Sequence, residues 1–125
     1  MKIHELNHVA LFVTDVEKSS SFYSRVLRLE SMLRPAFDFP GAWFRLGTSQ
    51  ELHLIGGSTE ASTPKRRGNH FALRVDDAEA WRKHLEGFGV IARGPVQRPD
   101  GPTQIFIHDP DGHLVELFTE PAHTP

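Results

Sequence analysis

Four polar residues stand where strands of a small domain should be apolar. His8 lies in Leu6-Asn7-His8-Val9-Ala10-Leu11 and His53 in Glu51-Leu52-His53-Leu54-Ile55. His70 lies in Asn69-His70-Phe71-Ala72-Leu73, and Glu116 in Leu114-Val115-Glu116-Leu117-Phe118. A buried carboxylate is costly unless it is paired, protonated or metal-bound. A lone strand histidine is more often a hydrogen-bonded or half-exposed residue than a ligand. Their spacing changes that weighting: 45 positions separate His8 from His53 and 46 separate His70 from Glu116. Three imidazoles and a carboxylate suit a borderline divalent metal such as Zn, Ni, Co or Fe(II). Four protein ligands leave positions for water or substrate on a five- or six-coordinate ion. His53 is the least secure of the set, because Glu51 is an oxygen donor on the same strand face. His4, His84, His108, His113 and His123 read as surface residues.

The matching spacings reflect a duplication. Shifted by 62 residues, Asn7 to Glu17 falls on Asn69 to Glu79 with seven of eleven pairs identical, where chance gives about one. Each half then has the same order: strand, helix, three strands. The first strands run over Leu6–Val13 and His70–Val75. Asp15 and Asp77 are helix caps. Val16, Phe22, Tyr23, Val26 and Leu27 form one helical face, as do Ala78, Trp81 and Leu85. Gly87 and Gly89 end the second helix. Shorter strands are expected near 30–37, 42–47 and 50–55, and again near 90–93, 103–108 and 113–119. Phe39-Pro40-Gly41, Gly47-Thr48-Ser49 and Asp109-Pro110-Asp111-Gly112 mark turns between them. The first module covers 4–56 and the second 69–120. The linker between them, 57–68, is rich in Gly, Ser, Thr and Pro. It holds Lys65-Arg66-Arg67, a solvated basic loop or, more sharply, a rim that attracts an anionic substrate.

Composition narrows the class. The 125 residues form one small domain of two half-domains, 38% apolar and 24% charged, as for a globular protein with a core. A net charge of −2 provides no basic field for nucleic acid. With no cysteine, a disulfide scaffold, Cys-ligated zinc and a thiol nucleophile are excluded. That absence suits a reducing compartment, so a cytoplasmic location is expected. No apolar run reaches the roughly 18 residues that a membrane span requires, and the N-terminus does not read as a signal peptide.

These residues resemble the vicinal oxygen chelate superfamily, which includes glyoxalase I, fosfomycin resistance proteins, methylmalonyl-CoA epimerase and extradiol dioxygenases. The motifs are Leu6-Asn7-His8-Val9-Ala10-Leu11, Ser21-Phe22-Tyr23 with Val26-Leu27, Gly68-Asn69-His70-Phe71-Ala72, and Asp109-Pro110-Asp111-Gly112-His113-Leu114-Val115-Glu116-Leu117. They cover roughly residues 4 to 119. The resemblance implies an α+β fold of two βαβββ modules forming a half-open barrel around a divalent metal. It also implies a homodimer with the site at a module interface. By position, His8, His70 and Glu116 match the ligands shared by the glyoxalase and fosfomycin branches. His53 takes the position of a fourth ligand, normally glutamate in glyoxalase I and glutamine in the epimerase.

The implied activity is that of a metal-dependent glyoxalase-like lyase or isomerase acting on a small molecule. Metal chelation of two neighbouring oxygens would stabilise an enediolate, with Glu116 as base. With His53 replacing one carboxylate, Glu116 alone remains as a metal-side base, which puts the authentic glyoxalase I reaction in question. The C-terminal stretch from Thr119 has no Arg or Lys, which argues against fosfomycin. Arg45 and Arg98 are candidate substrate contacts, whereas Arg34 reads as a surface residue. The loop from Gly94 to Pro102 is expected to close over the site. Two alternatives stand: a metal-free, bleomycin-type binding protein, and an Fe(II) extradiol-type dioxygenase.

Overall fold

The computed structural model describes residues 1–61 and 67–121. It divides into two compact units, Met1–Ser62 and Thr63–Pro125. Each is a βαβββ module, as the sequence repeat predicts, and the class is α+β.

In the first unit, β1 (His8–Phe12) leads into α1 (Val16–Ser21), followed by β2 (Ser31–Met32), β3 (Gly41–Leu46) and β4 (Gln50–Ile55). The sheet order is β1-β4-β3-β2, with β1 parallel to β4 and the other pairs antiparallel. Asp15 caps α1, its carboxylate accepting from the Lys18 amide at 3.0 Å. The expected helical face is only partly α-helical: the chain widens into a π turn over Phe22–Val26. That turn still buries Tyr23 and Val26, and Leu27 follows them into the core. They pack with Phe44, Leu46, Leu52 and Leu54, each fully buried side chain contributing about 1.5–3 kcal/mol.

The second unit repeats this with β5 (His70–Arg74), α2 (Ala78–Gly87), β6 (Arg93–Gln97), β7 (Thr103–His108) and β8 (Leu114–Thr119). Its order is β5-β8-β7-β6. Asp77 caps α2 through the Ala80 amide, also at 3.0 Å. Asp15 and Asp77 share nearly the same backbone, φ −138° and −139° with ψ 102° in both. Gly89, at φ +70°, turns the chain out of α2. Leu85, Ile105, Ile107, Val115 and Leu117 form the core. Asp109 builds the turn before β8, its side chain accepting from the amides of Asp111 at 3.0 Å and His113 at 2.8 Å.

Four expectations need correction. The strand expected near 30–37 shrinks to Ser31–Met32, because Pro35 and Pro40 take the chain out of the sheet. Arg34 is not an ordinary surface residue. It donates to the Phe39 carbonyl at 2.8 Å and lies over the rings of Phe37 and Phe39. The segment Gly94 to Pro102 is only in part a loop. Its first part belongs to β6, which pairs with β7 through Val96↔Gln104 and Gln97↔Thr103, past an irregularity between Arg93 and Val96. Arg98 closes this hairpin, its amide donating to the Pro102 carbonyl at 2.7 Å. Among the histidines read as surface residues, His84 is half-buried between Trp81 and Phe88, and His108 and His113 are also half-buried. His123 lies outside the described residues.

Candidate metal centre

Strand alternation sends one set of side chains in each unit to the helix-covered core and the other to the opposite face. On β4, Leu52 and Leu54 are buried, so Glu51 and His53 face away from α1. On β8, Val115 and Leu117 take the core, and Glu116 shares the other face with Leu114 and Phe118.

Register then relates the two halves. Ala10 pairs with His53, and Ala72 pairs with Glu116. Trp43 also pairs with His53, and Phe106 with Glu116. His53 is therefore the positional equivalent of Glu116, just as His8 is of His70. The 45-against-46 spacing reflects one extra residue before β7, not a mismatch of faces.

In the second unit, His70 Nε2 lies 3.3 Å from Glu116 Oε1. His70 Nδ1 is 2.8 Å from the Gly68 carbonyl. A carbonyl only accepts, so Nδ1 carries a proton; in a neutral ring the Nε2 lone pair then points toward the carboxylate. Glu116 is 4% exposed. Two ligands of one cation, each about 2.1 Å from it at octahedral or tetrahedral angles, stand about 3.0–3.4 Å apart. The pair fits a borderline divalent ion in donor type and spacing, and the Gly68 carbonyl fixes the His70 ring for it.

In the first unit, His8 and His53 are brought together with rings stacked at 4.2 Å. His8 Nδ1 is bonded to the Asn7 side-chain oxygen at 2.8 Å, which leaves Nε2 as the donor atom. His53 is held more tightly. Its ring lies between His8 and Trp43, parallel to Trp43 within 1° at 3.9 Å. Its Nε2 is 2.9 Å from Glu51 Oε1. The Trp43 stack is a feature that period-2 alternation on β3 could have shown had the hairpin register been known. The structure thus forms His8 with His53, and His70 with Glu116. Among the described residues, no group of three or more His, Cys, Asp or Glu side chains is placed to hold a metal ion.

The candidate arginines are both engaged. Arg45 pairs with Glu51 in register and across 3.7 Å, on the face that carries His53. Arg98 donates through Nε and Nη2 to the two Asp100 oxygens at 2.5 and 2.6 Å. The Asp100 hydrogen bond raises the Arg98 pKa, and Arg98 in turn holds the Asp100 carboxyl below the usual carboxylate range. Arg98 also lies over Phe118, 5.5 Å from the ring centre. A pocket of about 450 Å³ opens on the same unit, lined by His70, Arg67, Arg93, Gln104, Phe106 and Leu114 among others. Arg93 and Gln104 were missed from sequence, and Lys65 and Arg66 lie outside the described residues.

Residues 5–117 match the model of the Glyoxalase/Bleomycin resistance protein/Dioxygenase superfamily, and the chain belongs to that family. It is 34% identical to a lactoylglutathione lyase of Escherichia coli O157:H7 over 127 residues, covering 92% of both chains. It is 27% identical to the metallothiol transferase FosB of Bacillus licheniformis, over 94% of this chain and 77% of that one. Among solved structures, an integron cassette protein from the mobile metagenome of a Halifax Harbour sewage outfall superposes with TM-score 0.78 at 29% identity, covering 94% of this chain and all of that one. A fosfomycin resistance protein, FosX, of Listeria monocytogenes superposes equally well at 21% identity, with 94% and 93% covered, and shares the fold. That structure is of a mutant complexed with Mn(II) and a dihydroxypropylphosphonic acid.

Proposed function

We propose that the chain is a divalent-metal-dependent glyoxalase-like enzyme of the lyase or isomerase type, acting on a small substrate with two neighbouring oxygens. The observation that carries this reading is the His70–Glu116 pair, with His70 Nδ1 fixed on Gly68 and a buried carboxylate facing Nε2. His8, His70 and Glu116 would hold the metal, with His53 as the fourth donor once its bond to Glu51 exchanges. A metal held there would supply Lewis-acid polarisation of the substrate oxygens.

The protein's own residues do the rest. Glu116 takes the proton from the substrate carbon, because its carboxylate is the base at this face. Gly68 and Asn7 fix the rings of His70 and His8, so that both present Nε2. Glu51, braced by Arg45, holds His53 until that exchange. The working unit is a homodimer with the site at a module interface, and its location is cytoplasmic.

Exchange of solvent deuterium into the α-carbon of hydroxyacetone and of the methylglyoxal–thiol hemithioacetal, followed by NMR, tests this. Exchange should require added divalent metal after chelation and be lost in Glu116→Gln. Metal-independent exchange, or full exchange in Glu116→Gln, would overturn the reading. Oxygen uptake with catechol in place of exchange would assign the chain to ring-cleavage chemistry.

A further inference from the structure

We infer that the substrate carries a flat aryl group, which seats on a ledge made by Phe37, Phe39 and Trp43 in the first unit. This rests on the reading of the face that bears His53 as a substrate face. Trp43 is in register with His53 and shares its face, with the indole stacked on the imidazole. The aromatic series continues outward from there. Phe37 is tilted at 48° to Trp43 with ring centres 6.1 Å apart, and Phe39 is stacked on Phe37 at 5.1 Å. An aromatic surface thus leads from a candidate metal donor into the loop between β2 and β3.

The ledge lies outside the core, with Phe37 45% and Phe39 39% exposed, yet it is held in place. Pro35 and Pro40 bracket it, and the Phe37 amide donates to the Pro35 carbonyl at 2.8 Å. The Arg34 guanidinium lies 5.0 Å from the centre of the Phe37 ring and 4.8 Å from that of Phe39. Its Nη2 donates to the Phe39 carbonyl, while its Nε is buried without a hydrogen-bond partner. An orphaned buried N–H is a cost, so the fold spends stability to hold these rings. Rings fixed in advance lose little freedom when a ligand arrives. Size favours a small ligand over a second protein. Phenylalanine rings bury about 150–250 Å² when fully covered, so these two still expose roughly 130–210 Å² together. A stable protein interface needs about 800 Å² per partner, far more than the ledge offers even with the exposed Leu33 added. Arg34 and Asp38 leave the loop without net charge, which suits an uncharged ring. The substrate class that fits is an aryl-substituted hydroxy- or oxo-carbonyl compound, its ring on the ledge and its neighbouring oxygens toward His53.

Two matched probes test this: 2-hydroxyacetophenone, which has an aryl group, and hydroxyacetone, which has a methyl in its place. Both are titrated into the chelated full chain and followed by ligand-observed NMR. Wild type should bind the aryl probe at least about tenfold more tightly. Phe37→Ala and Phe39→Ala should each cut that preference about threefold, and the double variant should bring the two probes within about twofold. Phe37→Tyr, which keeps a flat ring, should retain it. Phe37→Leu and Phe39→Leu, apolar but without the flat face, should also lower the preference and carry the test should the alanine variants fail to fold. Equal binding of the two probes by wild type, or an unchanged preference in the folded variants, would overturn the inference. Loss of self-association in the double variant, with the preference unchanged, would overturn it by assigning the ledge to a second copy. A ring-dependent preference without metal-dependent deuterium exchange would instead overturn the metal-enzyme reading alone.

Discussion

Replacing Glu116 by methionine should stabilise the chelated protein while removing its response to metal. Glu116 is 4% exposed and shares its face with Leu114, Phe118 and, across the sheet, Phe106. Two effects oppose each other. Removing a buried carboxylate relieves the cost of keeping that charge out of water, whereas stranding the partner charge of a buried pair costs about 3–5 kcal/mol. The first should win, because His70 is not stranded: its side chain is 37% exposed and its Nδ1 remains on Gly68. A gain of about 1–2 kcal/mol in a chain of this size raises Tm by about 3–10 °C. Wild type should gain about 2.7 kcal/mol when free metal reaches a hundred times its Kd, and Glu116→Met should gain almost none. Calorimetry with and without chelator measures both quantities. A loss of more than about 1 kcal/mol in chelated Glu116→Met would refute the reasoning, since the carboxylate would then be a structural partner.

The two helix caps should behave alike. Asp15→Ala and Asp77→Ala should each cost about 1 kcal/mol in urea denaturation, because both accept a 3.0 Å bond in nearly the same backbone geometry. Asp100 should titrate below the ordinary carboxylate range by NMR, and Arg98→Ala should return it to that range, because the Arg98 hydrogen bond is the largest cause of the shift. A carboxyl lowered in the folded state contributes stability above its unfolded pKa and loses it as pH falls through the folded value. The hairpin end at Arg98–Gly101 should therefore loosen on the acid side only, read as faster amide exchange at Gly101. Gly94→Ala should destabilise by more than about 1 kcal/mol in denaturant melts, because φ is +107° and an added Cβ would meet the Gln104 carbonyl oxygen at 2.5 Å.

The module plan was legible because duplication wrote it twice. The Asn-His-x-Ala-Leu repeat placed β1 and β5, and Asp15 and Asp77 marked both helix starts before any register was known. The faces of Glu116 and His53 also followed, since alternation along an apolar strand leaves one side for a polar residue. What sequence could not supply was pairing between strands. Whether Arg45 shares a face with His53 depends on hairpin register, and so does the equivalence of His53 with Glu116. Arg93 was invisible for a related reason. The irregularity after it and the prolines at 95 and 102 disguised β6 as a loop, so its approach to Phe106 had no periodic signal. The clamp of Arg34 on Phe37 and Phe39 depends on loop conformation, which composition does not encode.

Equilibrium titration of chelated protein with Zn(II), Ni(II), Co(II) and Mn(II), with elemental analysis of the purified chain, bears most directly on the central claim. One ion per chain should bind wild type, with affinity lost in His8→Ala, His70→Ala and Glu116→Ala and only weakened in His53→Ala, whose ring is committed to Glu51 and Trp43. Undiminished metal content in both His8→Ala and Glu116→Ala would contradict it.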